Sequence, residues 1–197
     1  MKPKFVTLIL LTLLSAALLA PFVVSPIYLD AFREHSVELH RFIRGELYKQ
    51  TTGYVALVFV GLEMLLSLRK RGRSWFGKLK LPGSMIWWRS LHIFLGVGLL
   101  AIVLVHTIGA TGLNFNAVFL WIFFAVTLSA LVGVVAETGV LESPRKLFGV
   151  PGNKDLVVTK GPLIRNMRAV WLPTHIFLVS VFLLMLGVHV FLAYYYQ

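Results

Sequence analysis

A chain of 197 residues that is 58% hydrophobic and only 14% charged, with a mean hydropathy of +0.83, is too apolar for a water-soluble domain and reads as a membrane protein. The net charge of +11 does not point to nucleic acid, because the basic residues crowd between apolar runs, as membrane topology requires. Cysteine is absent, which excludes disulfides, covalent CxxCH cofactor attachment and cysteine-ligated iron–sulfur clusters.

Lys2 and Lys4 precede an apolar run from Phe5 to about Val24. It approaches spanning length, and Pro21 after Leu18-Leu19-Ala20 is a poor cleavage neighbour, so a retained first helix is expected rather than a signal peptide. Residues 30–49 balance Asp30, Glu34, Glu38 and Glu46 against Arg33, Arg41, Arg44 and Lys49, with apolar residues at helical spacing. They predict an amphipathic helix on the membrane surface. A second span, 52–68, ends at the basic run Arg69–Arg73, and a third, 86–108, opens on the interfacial pair Trp87 and Trp88. A fourth covers 117–136. The fifth, 170–193, closes on Tyr194, Tyr195 and Tyr196.

Residues 69–89 hold seven basic residues and no acid, and 137–170 hold six basic residues against three acids, so both loops are expected to face the cytoplasm, together with the N-terminus. The surface helix, the 109–116 turn and the C-terminus then lie on the opposite side. Turn residues in the longer loop predict a short hairpin around the segment Pro151-Gly152-Asn153-Lys154-Asp155. The expectation is one all-α integral membrane domain over residues 1–197, with five transmembrane helices, no repeat, no low-complexity tract and no soluble domain.

Spans three and five each carry one histidine near the start and another fourteen residues later: His92 and His106, then His175 and His189. Fourteen residues is just under four helical turns. The two imidazoles of a span therefore leave nearly the same face, offset by roughly 40° and about 21 Å apart along the axis, within a hydrocarbon layer about 30 Å thick. One intervening span makes spans three and five parallel, so His92 falls at the depth of His175 and His106 at that of His189. This layout suits two flat cofactors, one above the other, each between two imidazoles. It predicts two b haems held between helices three and five, with His92, His175, His106 and His189 as axial ligands of the haem irons.

The alternatives are hydrogen-bonded helix contacts, a proton relay or a bare metal site. Metal sites ordinarily use shorter ligand spacings or added carboxylates, which neither span offers. Gly96, Gly109 and Gly187 either admit a porphyrin close to the backbone or serve ordinary helix packing. Arg89 and Arg168, on the faces of His92 and His175 and nearer the cytoplasm, either bind haem propionates or belong to the basic loops.

The stretches TGYVALVFVGLEMLLSLRKR, LHIFLGVGLLAIVLVH and THIFLVSVFLLMLGVH resemble the ferric-reductase-like transmembrane domain. That domain is shared by ferric reductases, NADPH oxidases and small bacterial haem-b electron-transfer subunits. The resemblance covers residues 50–192 and rests on the four histidines and hydropathy. It implies two b haems between paired histidines on two helices. Two features depart from it: members commonly have a sixth span, and the reductases carry a flavin and nicotinamide domain after the last span, whereas this sequence shows no GxGxxG. The resemblance then implies a subunit, rather than a complete enzyme, that exchanges electrons with a separate redox protein.

Two functional classes follow. In the first, the chain is a di-haem cytochrome b subunit in a prokaryotic inner membrane, linking the quinone pool to a partner redox subunit. In the second, it is a self-contained transmembrane reductase of oxygen or ferric chelates. A third, non-redox class is a channel or assembly factor. Glu63, an intramembrane carboxylate about 9 Å along its helix from Arg69, either moves protons at a quinone site or snorkels to a loop cation. The haem at His106 and His189 lacks a cation in the nearest loops. The surface helix is therefore expected to lie over it as a lid, with Arg41 or Arg44 on a propionate and His35 and His40 near a bound quinol or a partner.

Overall fold

The computed structural model describes residues 3–75, 82–109, 113–150 and 153–195. These form seven helices and one two-stranded sheet: α1 (Phe5–Val23), α2 (Ser25–His35), α3 (Val37–Arg44), α4 (Glu46–Trp75), α5 (Met85–Thr107), α6 (Phe115–Glu142), β1 (Leu147–Val150), β2 (Asn153–Thr159) and α7 (Lys160–Tyr195). Five helices are long and apolar enough to cross a membrane: α1, α4 as far as Ser67, α5, α6 and α7. The chain is therefore multi-pass in character.

The helices overrun the spans that hydropathy marks. α4 starts six residues before the expected span and continues to Trp75, and α6 and α7 take in the two ends of the expected 137–170 loop. Apolarity ends where the hydrocarbon ends, but Lys, Arg and Glu are good helix formers and do not stop a helix. At 36 residues α7 is about 54 Å long, well beyond a hydrocarbon layer of about 30 Å. It carries Pro173 inside it, two residues before His175. The expected surface helix is two helices. Ser36, at φ −146° and ψ 62°, closes α2 by donating to Phe32 O and opens α3 by accepting from His40 N, and Gly45 ends α3. α3 buries none of its residues, and Val37, Leu39 and Phe42 are exposed, as suits a segment lying on a lipid surface.

The chain divides into two compact units, Met1–Pro3 with Leu14–Gly112, and Lys4–Leu13 with Leu113–Gln197. The first is built on the antiparallel hairpin α4–α5. Ser84 caps α5 by accepting from Trp87 N at 3.2 Å, and the preceding turn is held by Arg69, which donates to the carbonyls of Pro82 and Gly83 and lies over the Trp88 ring. At its other end, carbonyls of the last turn of α5 and of the capping residue Ile108 are met by side chains. Tyr48, Lys49 and Tyr28 donate to the carbonyls of Val105, His106 and Ile108. The chain leaves α5 through Ile108 at φ 62° and Gly109 at φ 152°. A Cβ on Gly109 would also stand 2.7 Å from the Tyr28 hydroxyl, so this glycine serves the exit turn and its packing.

The second unit is built on the hairpin α6–α7. Asn114 caps α6 by accepting from Ala117 N at 2.9 Å. The core holds Leu120, Phe123, Phe124, Leu131, Ile164 and Phe182, with Phe182 stacked on Phe119 at 5.3 Å. Gly133 lets the Trp171 ring lie against the α6 backbone, because a Cβ there would be 2.5 Å from Trp171 Cδ2. In lipid this close packing, not apolar burial, holds the helices together. The expected hairpin forms from β1 and β2, antiparallel, with Leu147 opposite Thr159. Its tip at 151–152 lies outside the described residues. Lys160, at the start of α7, donates to the Ser143 carbonyl beyond α6.

Candidate functional site

An imidazole in an apolar span needs a partner for its ring nitrogens, and a fixed ring orientation needs that partner on a rigid neighbour. In the first unit both are supplied by α4. Its antiparallel course sets Thr52, early in α4, beside His106, late in α5, and Glu63 beside His92. Thr52 Oγ1 lies 2.9 Å from His106 Nδ1. Gly53 clears the space: a Cβ there would stand 3.3 Å from His106 Cε1. Glu63 is buried, and its Oε2 lies in close contact with His92 Nδ1. Its Oε1 faces Gly96 and has no hydrogen-bond partner among the described residues. Next to Thr52, an apolar groove of about 260 Å³ opens between α4 and α5, lined by Thr51, Thr52, Val55, Ala101, Ile102 and Val105.

The second unit repeats the arrangement on α6 and α7. Asn116 Oδ1 lies 3.1 Å from His189 Nδ1, and Ser129 Oγ lies 3.0 Å from His175 Nδ1. Here aromatic rings complete the surroundings, Phe119 at 5.3 Å from His189 and Trp171 at 6.4 Å from His175. All four imidazoles are half-buried, and each has Nδ1 against a polar side chain of the preceding helix in its own hairpin.

That pattern bears on what the rings can hold. An Nδ1–H that donates to an oxygen fixes the tautomer, so that the lone pair sits on Nε2, the arrangement usual in metal-ligating histidine. Among the described residues no three His, Asp or Glu side chains gather closely enough to hold a bare metal ion. A haem iron takes four ligands from its own ring and needs only two from protein, so a set of oriented single imidazoles fits haem in its chemistry.

The remaining expected residues are placed as follows. Arg168 does not stand alone. It makes a two-pronged contact with the buried Glu137 on α6, with Nε to Oε2 at 3.0 Å and Nη2 to Oε1. Arg89 is exposed, one turn before His92. Arg41 and Arg44 are exposed on α3, and the lysine that reaches the neighbourhood of His106 is Lys49, from α4, through the His106 carbonyl. His35 bonds its own helix through Ala31 O at 2.8 Å, and the His40 ring lies 6.2 Å from Phe32. Among the described residues, the partner of Glu63 is a histidine. Gly187 has open space where a Cβ would be.

Thr52, Ser129, Asn116, Glu137 and Trp171 escaped sequence reading. A trace of the first three was present: in an antiparallel hairpin the partners of residues fourteen apart must themselves lie three to four turns apart, and Thr52 and Glu63, like Asn116 and Ser129, do so. No protein-family model matches this chain, and no curated protein or solved structure matches it either.

Proposed function

We propose that the chain is a membrane electron-transfer subunit binding two b haems through His92, His106, His175 and His189. The observation that carries this reading is that each Nδ1 lies against a polar side chain of the neighbouring helix, hydrogen-bonded at His106, His175 and His189 and in close contact with a carboxylate at His92, which leaves Nε2 for iron. Bound haem supplies one-electron reduction and oxidation at its iron. The protein's part would be to hold the imidazoles in place, with Phe119 and Trp171 packed beside His189 and His175, and to set the strength of each imidazole as a ligand. A proton relay is favoured by one contact, Glu63 with His92, whereas neutral side chains hold the other three histidines. The haem reading accounts for all four.

Which imidazoles share an iron is argued from the sequence: matched spacing and parallel spans pair His92 with His175 and His106 with His189. Arg89 and Arg168 are the candidates for a propionate at the first haem, Arg168 already contacting Glu137, and Arg41 and Arg44 are the candidates at the second. We assign quinone as the membrane-soluble partner and a redox protein subunit as the aqueous one, in a prokaryotic inner membrane with the N-terminus cytoplasmic, on the strength of the basic loops. The test is a reduced-minus-oxidised spectrum of the purified chain with its haem-to-protein ratio. Two low-spin b haems per chain are expected. A preparation without haem, from cells that supply it, overturns the reading.

A further inference from the structure

The four histidines share a plan but not a chemistry. Three meet neutral oxygens, those of Thr52, Ser129 and Asn116, and His92 meets a carboxylate, Glu63 Oε2. Glu63 is 6% exposed, near the end of the membrane-crossing stretch of α4, and a carboxylate buried within a span is costly. Its second oxygen has no hydrogen-bond partner among the described residues and is turned toward Gly96 on α5, one turn beyond His92. The whole carboxylate is therefore directed at the helix that carries His92, and at the imidazole in particular.

A carboxylate and a hydroxyl act differently on an imidazole that ligates iron. The carboxylate draws the Nδ1 proton toward itself, which makes Nε2 a stronger electron donor and favours ferric over ferrous iron. Its negative charge in a low-dielectric interior acts in the same direction, since the ferric haem carries one positive charge more. Threonine, serine and asparagine give the first effect weakly and the second not at all.

We infer that Glu63 is a positioning residue that separates the two haems in potential, the haem ligated by His92 being the lower of the pair. The inference rests on the haem reading and adds an internal order to it. Glu63 acts through His92 and need not touch haem or quinone.

The experiment is a potentiometric titration of the purified full chain, wild type and Glu63→Gln, followed in the haem absorption bands with haem content and low-temperature electron paramagnetic resonance recorded on the same samples. Gln keeps the size and a polar oxygen but removes the charge. The expected result is two retained haems, with the lower-potential component shifted so that its reduced-to-oxidised ratio at fixed potential rises about tenfold, or 59 mV for one electron. The other component is expected to stay put. The component that shifts must be the one that His92→Ala removes. Equal shifts in both haems, no shift, or a shift confined to the haem that His106→Ala removes would each overturn the inference.

Should Glu63→Gln lose a haem, Ser129→Asp decides. It sets a carboxylate toward His175 Nδ1 and is expected to lower the potential of the haem that His175 ligates; failure to do so overturns the inference. A wild type without haem would overturn the haem reading and this inference with it. Two haems with unmoved potentials would overturn only the role of Glu63.

Discussion

In α4–α5 the histidine partners are a carboxylate and a hydroxyl, and the second ring is admitted by a glycine, Gly53. In α6–α7 they are a hydroxyl and a carboxamide, and the rings are flanked by Trp171 and Phe119. The charged pair of the second hairpin, Arg168 with Glu137, stands apart from both of its histidines' partners. Two hairpins with one histidine spacing thus reach the same ring orientation by different means. The spacing is shared, and the partners differ while each presents an oxygen toward Nδ1.

The comparison breaks most completely at the histidines themselves. His92→Ala and His175→Ala are each expected to halve the haem content and remove the same spectral component, while His106→Ala and His189→Ala remove the other, because an axial pair fails when either member goes. Loss of different components from His92→Ala and His175→Ala would leave the hairpins as separate sites and end the pairing.

Packing gives the next largest effect. Gly133→Val should destabilise the α6–α7 hairpin by about 3 kcal/mol, since the new methyl groups would enter the space of the Trp171 ring. Gly61→Ala in α4–α5, where a Cβ meets nothing, should not lower thermal stability in detergent and should raise it by up to about 1 kcal/mol through helix propensity. Third, Arg168→Ala leaves the Glu137 carboxylate buried without its charge partner and should cost about 2 kcal/mol, with Arg168→Lys recovering only part because it lacks the planar fork. If Arg168→Ala instead lowered haem retention without touching stability, its place would be on a propionate. The smallest effect belongs to the α5 exit. Burial pushes the Tyr28 phenol above its ordinary value of 10, so it remains a donor to the Ile108 carbonyl through neutral and mildly alkaline pH. Tyr28→Phe should cost about 1 kcal/mol in the same unfolding measurement.

Span number and histidine spacing could be read from the chain because both are one-dimensional: a run of apolar residues and a count of fourteen. The ends of α4, α6 and α7 could not, since hydropathy reports the hydrocarbon boundary and charged residues such as Arg69 and Lys160 continue a helix readily. Ser36 was hidden in the amphipathic pattern, which persists across a break that only the backbone angles reveal. Glu63 stood out because a carboxylate in a span is rare, but its partner depended on which α5 residue the hairpin sets opposite it. Thr52, Ser129 and Asn116 are ordinary in membrane helices, and nothing distinguishes them until the antiparallel course of each hairpin brings them to an imidazole.

Strand β2 runs into α7 without a linker, and α7 is longer than the layer it crosses, so the hairpin at its head is fastened to a helical shaft. A partner pressing on the strands would load that shaft directly. Pro173 sits between the load and His175, and its ring removes one rung of the helical ladder there. The shaft therefore lacks one helical hydrogen bond just before the imidazole, whereas α5 has no proline from Met85 to Thr107 and is held at both ends. Bending imposed on α7 from the strands is expected to concentrate at this missing rung, on the strand side of the hydrogen bond between Ser129 and His175.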